Sequence, residues 1–173
     1  MPDQPLGKRV RVSAAREPAR RRAVQPGRLQ YVELCCRTNH SFLEGASHPD
    51  ELVLRAFELG QQALAITDVN SLGGIARAHV AAGEVGLPIV CGARLRFQDV
   101  PPVVVWVKDR VGYARLCRLL TLGRRRAEKG ECHLWWDDLA KDSAGMLAGV
   151  LLHRMRDEGP ADERATADAK TFL

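Results

Sequence analysis

The sequence predicts an α/β protein with a parallel sheet. From Leu29 onwards, short apolar segments typical of strands alternate with amphipathic segments typical of helices. Several strand segments are apolar at consecutive positions, which indicates burial on both faces and favours parallel pairing. Two helical segments end at a glycine, the residue that most readily takes the left-handed conformation after a helix. This combination is typical of folds in which helices connect neighbouring parallel strands.

The first strand and the first helix are predicted between residues 31 and 60. The alternating segment YVELCC (31–36) predicts a strand. The segment SHPDELVLRAFELG (47–60) predicts a helix, because Ser47 and Asp50 have the spacing of a capping box and Gly60 follows as the C′ residue. The apolar stripe of this helix comprises Leu52, Val53, Ala56, Phe57 and Leu59.

The alternation continues along the chain. The segment ALAIT (63–67) predicts a second strand, and LGGIARAHVAAGEVG (72–86) predicts a second helix that ends near Gly86. Two more strands are predicted over residues 88–97 and 103–107. A third helix follows over residues 109–130, with one apolar side formed by Leu116, Leu119 and Leu120.

Composition and charge divide the chain into three parts. The whole chain has 173 residues, 46% of them hydrophobic and 27% charged, as in globular proteins. Residues 1–29 form a basic arm that we expect to be disordered, whereas residues 30–153 form the folded domain. Residues 154–173 are polar and predict a surface helix. The arm could contact DNA phosphates through Arg20, Arg21 and Arg22, or it could simply be solvated.

The cysteines and the apolar runs predict a cytoplasmic protein without membrane contact. The five cysteines form no CxxC pair, which favours reduced thiols. No apolar run approaches the roughly 20 residues that a membrane helix needs. The N-terminal residues also lack the apolar region of a secretory signal.

Candidate functional residues lie at the carboxyl ends of the predicted strands, where parallel α/β folds place their chemistry. These ends are residues 35–37, 67–70, 92–94 and 108–109. Because residues i and i+2 share a face of a strand, Cys35 and Arg37 are expected on one face and Cys36 on the other, within the packing.

Residues 31–95, from YVELCC to CGARL, resemble the start of the PHP (polymerase and histidinol phosphatase) domain of bacterial C-family DNA polymerases. Within that family they are most similar to the error-prone, replicative-alpha-subunit-like branch. The segments that carry this likeness are NHSFLEGASHP, ALAITDVNSLGGIARAH and DRVGYARLCRLLTLGRRRAEKGE. The resemblance covers roughly residues 30–150. It implies a partial (β/α) barrel of the PHP type, a distorted seven-stranded barrel that is truncated here.

The resemblance also implies where the metal ligands of the family would lie. Cys35 and Arg37 occupy the positions of a His-x-His pair, and Glu44 matches an acidic ligand in the next turn. Val69 replaces a histidine, and Arg94 replaces a glutamate. The neighbouring Asp68 is retained and is expected to be structural.

These replacements predict a degenerate metal site. A guanidinium group stays protonated and cannot coordinate a cation, so Arg37 and Arg94 would repel metal ions. We expect them instead to pair with Glu44 or Asp68. No catalytic, cofactor-binding or metal-binding residue is therefore assigned to this chain. The resemblance implies Mg²⁺ only for the full-length family polymerase.

The other polar candidates each have a structural interpretation. His40 and His48 suit surface or capping roles, and His79 suits a solvated or packed position in a helix. Adjacent cysteines diverge on a strand, which favours buried thiols over a redox pair. Asp68 is expected to bond to the loop that follows it.

Two further segments could contact nucleic acid but also have structural interpretations. The basic run at residues 124–129 suits the carboxyl end of a helix as well as it suits DNA contact. Of Trp135 and Trp136, which could stack on bases, one is expected in the core.

Three functions are compatible with these residues. The first is the N-terminal PHP domain, or a fragment, of an error-prone DNA-directed DNA polymerase for translesion synthesis. Its partners would be DNA and other replication or repair proteins, and its polymerase carboxylates would lie in a palm domain outside this chain. The second is a non-catalytic scaffold or decayed remnant of that polymerase. The third is an active metal-dependent phosphoesterase, which Arg37, Val69 and Arg94 disfavour.

Overall fold

The computed structural model describes residues 31–151. The predicted arm (1–29) and the whole predicted C-terminal segment (154–173) therefore lie outside the described residues. The elements in chain order are β1 (Val32–Cys36), α1 (Pro49–Glu58), β2 (Ala63–Val69), α2 (Ile75–Val85), β3 (Ile89–Leu95), β4 (Val103–Val107), α3 (Arg110–Arg125), α4 (Trp136–Ala140) and β5 (Met146–Val150).

The five strands form one mixed sheet in the order β1-β2-β3-β4-β5. The pairs β1–β2 and β2–β3 are parallel, as predicted, and are connected through α1 and α2. The pairs β3–β4 and β4–β5 are antiparallel, so the prediction of a parallel sheet is wrong for this half. The reason is local: only residues 96–102 separate β3 from β4, and a parallel connection needs a crossover of a dozen or more residues.

The fifth strand, β5, is absent from the sequence-based prediction. It pairs with β4 from Val103↔Val150 to Val107↔Met146 and is exposed or half-buried along its length. Its sequence, MLAGV, is apolar throughout, but a short apolar run does not by itself distinguish a strand from another buried segment.

The helices α1, α2 and α3 cover one face of the sheet. Leu64 and Ile66 of β2 belong to an apolar cluster with residues of α1 and α2. A second cluster joins β3 and β4 to α3, whose Leu116, Leu119 and Leu120 are buried as predicted. Since Ile66 pairs with Cys91 and Asp68 pairs with Ala93, the two clusters lie on the same face.

The opposite face is concave, and Trp106 shows how strongly it curves. Trp106 Nε1 donates a hydrogen bond of 2.9 Å to the carbonyl oxygen of Leu34, which joins β4 to β1. In a flat sheet these strands would lie about 14 Å apart, three spacings of about 4.8 Å. A single indole side chain bridges them only because the sheet curls. The described part of the chain is thus an α/β half-barrel.

The helix ends confirm some capping predictions and shift one. Gly60 and Gly86 have φ angles of 74° and 72°, as expected for left-handed residues after α1 and α2. The N-cap of α1 is His48, whose backbone N–H donates to Glu51 Oε2 at 2.9 Å. The predicted capping box of Ser47 and Asp50 is therefore wrong by one residue. Helix α3 begins beside its predicted start but ends at Arg125, short of residue 130.

None of the helices within residues 31–151 is both long enough and apolar enough to cross a membrane.

Candidate functional site

The carboxyl ends of the parallel strands β1, β2 and β3 meet at one edge of the sheet. The loop between β1 and α1, residues 37–48, lies over this edge. The retained aspartate Asp68, near the end of β2, is completely buried beneath the loop. This edge is where the candidate residues of the sequence come together.

Asp68 holds the loop through three hydrogen bonds. Its Oδ1 accepts from the Thr38 backbone N–H at 2.7 Å and from Ser41 Oγ at 2.7 Å. Its Oδ2 accepts from Thr38 Oγ1 at 2.9 Å. Ser41 Oγ in turn accepts from the Val69 backbone N–H at 3.0 Å. Asp68 is thus structural, but it bonds to the loop after β1 and not, as predicted, to the loop that follows it.

Glu44 connects two arginines above the strand ends. Its Oε2 pairs with Arg37, as predicted, and its Oε1 pairs with Arg96. Among residues 31–151, Arg94 makes neither predicted pair, and its buried Nε has no hydrogen-bond partner there. The pairing expected of Arg94 is therefore made by Arg96, which stands just beyond the end of β3.

A β-bulge in β1 places the two cysteines in different surroundings. The register of β1 against β2 shifts between Glu33 and Cys36, where Glu33 Oε1 accepts from the Cys35 backbone N–H at 2.8 Å. Cys35 is exposed, so the prediction of a buried thiol is wrong there, whereas Cys36 packs against the cluster of α1 and α2.

Both thiols are poor nucleophiles at neutral pH. Burial, and secondarily the Glu33 and Asp68 carboxylates, raises the pKa of Cys36 to about 11. Partial burial and Glu33 also raise the pKa of Cys35, although Arg94 and Arg37 oppose that shift. Because the thiolate is the reactive form, neither cysteine is prepared for covalent or redox chemistry.

The side chains at this edge do not fit the metal cluster implied by the resemblance. Within residues 31–151, no three His, Cys, Asp or Glu side chains converge in a way that could hold a metal ion. Glu44 already binds two guanidinium groups, and Val69 offers no donor atom. Arg37 and Arg94 bring permanent positive charge to positions where ligands would be needed. We therefore derive no chemical step through a metal ion.

The histidines take the structural positions predicted for them. His48 caps α1, and its Nδ1 lies 3.0 Å from Asn39 Nδ2. His40 is exposed in the loop after β1, and His79 is exposed on α2.

The two tryptophans and the basic run also have structural contacts. Trp136 packs edge-to-face against Phe97 with ring centroids 6.1 Å apart, whereas Trp135 is exposed beneath the Arg126 guanidinium. Arg126 also pairs with Asp138 at 2.6 Å. Arg124 donates to the Asn70 carbonyl at 2.8 Å. These contacts agree with the structural interpretation of residues 124–129.

Sequence reasoning missed the polar residues that complete the site, namely Thr38, Ser41, Asn70 and Arg96. Asn70 has a positive φ of 45°, and its side-chain oxygen accepts from the Arg96 backbone N–H at 3.0 Å. The available signal was the position of Asn70 directly after a buried strand, since asparagine tolerates the left-handed conformation. Thr38 and Ser41 gave no comparable signal.

Comparison with known proteins identifies the relatives of the chain. Residues 33–169 match the PHP domain family. An error-prone DNA polymerase from Rhodopirellula baltica is 52% identical over 123 residues, which are 71% of this chain and 11% of that protein. An error-prone DNA polymerase from Caulobacter vibrioides is 46% identical over 129 residues, which are 74% of this chain and 12% of that protein. The chain thus spans about a ninth of the length of these curated relatives.

Among solved structures, a putative metal-dependent phosphoesterase from Bifidobacterium adolescentis is 26% identical with a TM-score of 0.48. The match covers 56% of this chain and 34% of that one.

Proposed function

The chain belongs to the PHP domain family, and on this premise we propose that it serves as the PHP domain of an error-prone DNA polymerase with a degenerate metal site. Two observations together support the proposal. The chain is 52% identical to such a polymerase, and the guanidinium groups of Arg37 and Arg94 occupy two of the positions where the family has metal ligands. The whole protein would carry out damage-tolerant, template-directed DNA synthesis.

The polymerase chemistry would lie outside this chain. Nucleotide addition needs carboxylates that hold Mg²⁺ against the nucleotide phosphates. The buried carboxylate of Asp68 at the strand ends is instead surrounded by hydrogen-bond donors of the chain. We therefore assign Mg²⁺ to the full-length polymerase, and to this chain no catalytic residue of its own.

DNA would be the partner of the whole polymerase, because the curated relatives are named as DNA polymerases. Arg20, Arg21 and Arg22 would add sequence-independent contacts to phosphates. We also propose a cytoplasmic protein that works with other replication or repair proteins.

A second candidate is a non-catalytic scaffold or decayed remnant of the same polymerase. The well-formed network of Asp68, Thr38 and Ser41 fits a scaffold, because it stabilises the strand ends without supplying a reactive group. An active phosphoesterase is the weakest candidate, since Glu44 is neutralised by Arg37 and Arg96.

Reading the gene beyond the codon for Leu173 tests the proposal. We expect the reading frame to continue into a palm domain with an aspartate-rich motif. A stop codon at that point would contradict the polymerase proposal and favour the scaffold or remnant.

A further inference from the structure

Strand β5 forms an open, uncharged edge of the sheet. Its sequence is MLAGV, and within residues 31–151 it pairs only with β4. Leu147, Ala148 and Val150 are exposed. Natural edge strands are usually protected from pairing by a charge, a proline or a bulge, and β5 contains none of these. The edge is therefore a template on which another strand can form hydrogen bonds.

The opposite edge of the sheet, strand β1, is protected. Its register contains a bulge between Glu33 and Cys36. The Glu33 carboxylate accepts a hydrogen bond from the Cys35 backbone N–H at 2.8 Å. The Leu34 carbonyl accepts from Trp106 Nε1 at 2.9 Å. Of the two sheet edges in the described part of the chain, β5 is thus the one that is open to a further strand.

The register of β5 against β4 defines which backbone groups face the open edge. The Gly145 carbonyl accepts from the Lys108 backbone N–H at 2.9 Å, so Gly145 belongs to the bonded residues of this pair. Bonded residues alternate along an antiparallel pair, so Met146, Ala148 and Val150 direct their N–H and C=O groups away from β4. No other hydrogen bond within residues 31–151 reaches the N–H or C=O of Ala148 or Val150.

These outward groups are complementary to a second copy of the same strand. Two β5 strands can run antiparallel about a two-fold axis at Ala148, where each Ala148 donates one hydrogen bond to the other and accepts one. On either side, the Val150 N–H of one copy meets the Met146 carbonyl of the other. The Met146 N–H is already bonded to the Ser143 carbonyl at 3.2 Å. The pairing therefore satisfies groups that are otherwise left to solvent.

The side chains on the concave face are complementary in the same register. Leu147, which pairs with Trp106 of β4 and is 57% exposed, would lie opposite Gly149 of the second copy. Gly149 has no side chain, and the half-buried Trp106 ring lies over it, since a Cβ there would stand 3.1 Å from Trp106 Cη2. Leu147 of each copy would thus pack beside the Trp106 ring of the other without meeting a facing side chain.

From these observations we infer that β5 is a homodimer interface, in which two chains pair their β5 strands and join their five-stranded sheets into one. The polar segment that follows, residues 154–173, contains no apolar strand of matching length, whereas a second copy supplies one. The contact is smaller than the roughly 1,200–2,000 Å² of stable interfaces, so we expect a dimer that dissociates on dilution. The inference does not depend on the polymerase proposal.

Sedimentation velocity of the full chain tests the dimer between about 1 and 300 µM, the range in which weak association is measurable. We expect the native chain to change from monomer to dimer as its concentration rises. Leu147→Lys places a charge in the interface and should weaken dimerisation by about tenfold or more. Ala148→Pro should do the same, because it removes an outward N–H without touching the bonds to β4. Leu59→Lys is the matched control, since Leu59 is 54% exposed at the end of α1 and should leave dimerisation unchanged.

Cysteine variants test the register of the pairing. Bonded residues of antiparallel strands have Cα atoms about 5.5 Å apart, which lies within the range of a disulfide. Ala148→Cys should therefore form a disulfide between two copies on mild oxidation. Val150→Cys is the control, because the two Val150 positions would lie about 14 Å apart, four residues at about 3.4 Å each. Peptide mass spectrometry separates this disulfide from any bridge of the exposed native Cys35.

Several outcomes would overturn the inference. A native chain that stays monomeric over the whole concentration range is the first. Equal weakening by Leu147→Lys and Leu59→Lys, or equal cross-linking of Ala148→Cys and Val150→Cys, would indicate association elsewhere on the surface. Native assemblies larger than a dimer would also contradict it, because the two-fold pairing occupies the β5 edge. Circular dichroism verifies that each variant is folded, and Leu147→Lys remains informative if Ala148→Pro does not fold.

Discussion

Two glycines of the α2 region allow the same substitution to be tested in opposite surroundings. A Cβ at Gly74, the N-cap of α2, would lie 2.7 Å from Asp68 Oδ2 and 2.8 Å from Thr38 Oγ1. These two atoms bond to each other at 2.9 Å inside the buried network and cannot retreat without breaking it. A Cβ at Gly83, within α2, would meet no atom within 4 Å. We therefore expect Gly74→Ala to destabilise the fold and Gly83→Ala to stabilise it.

The size of each effect follows from its cause. Forcing a methyl group into a packed site costs about 1–3 kcal/mol of the free energy of unfolding. Replacing an exposed helical glycine with alanine contributes about 0.5–1 kcal/mol in the opposite direction. The free energies of unfolding of the two variants should therefore differ by roughly 1.5–4 kcal/mol.

Urea denaturation of the full chain, followed by circular dichroism, measures both changes as shifts of the transition midpoint. If the free energy of unfolding falls with urea concentration at the same slope in each variant, the midpoint shifts reflect stability alone. If Gly74→Ala were as stable as the native chain, the close packing of Gly74 against Asp68 and Thr38 would be refuted.

Three further predictions concern the same region. Asp68→Ala leaves the buried Thr38 donors unpaired and should lower the free energy of unfolding, measured by urea denaturation, by about 3–5 kcal/mol. The exposed control Asp137→Ala should change it by less than about 0.5 kcal/mol. Equal losses in the two variants would contradict a stabilising role of the hydrogen bonds to Asp68. Trp106→Phe removes the hydrogen bond to Leu34 and should cost about 1–2 kcal/mol, against a smaller loss for the exposed Trp135→Phe. Cys36, with its pKa raised to about 11, should react with iodoacetamide at pH 8 about 100-fold more slowly than a thiol of pKa 9.0, because only the thiolate reacts. Mass spectrometry of the labelled peptide measures this rate, and rapid labelling of Cys36 would refute its burial.

The sequence predicts the helical half of the fold well because periodicity and glycine position are local signals. Gly60 and Gly86 end α1 and α2 as expected, and Leu116, Leu119 and Leu120 face the core. Strand direction depends instead on the length of the connection between strands. The short connection between β3 and β4 makes this pair antiparallel, and its direction was therefore predicted wrongly. The edge strand β5 is an apolar segment, MLAGV, but such a short run is ambiguous in the sequence, and its residues are exposed or half-buried in the fold.

The candidate site was predictable only in part, both in its residues and in their pairings. Arg37 was expected to pair with Glu44 or Asp68, and it pairs with Glu44. Which of Arg94 and Arg96 takes the second oxygen of Glu44 depends on how the chain turns after β3, which involves Asn70 and is invisible in the sequence pattern. The bulge after Glu33 likewise changes the surroundings of Cys35 in a way that simple alternation misses.

Metal content tests the degenerate site most directly. The full chain, exposed to zinc or manganese and then desalted, should retain less than about one equivalent by elemental analysis, because two guanidinium groups oppose the cation. The variant that combines Cys35→His, Arg37→His, Val69→His and Arg94→Glu should retain measurably more. Stoichiometric, tightly bound metal in the native chain, lost on Cys35→Ala, would contradict the account.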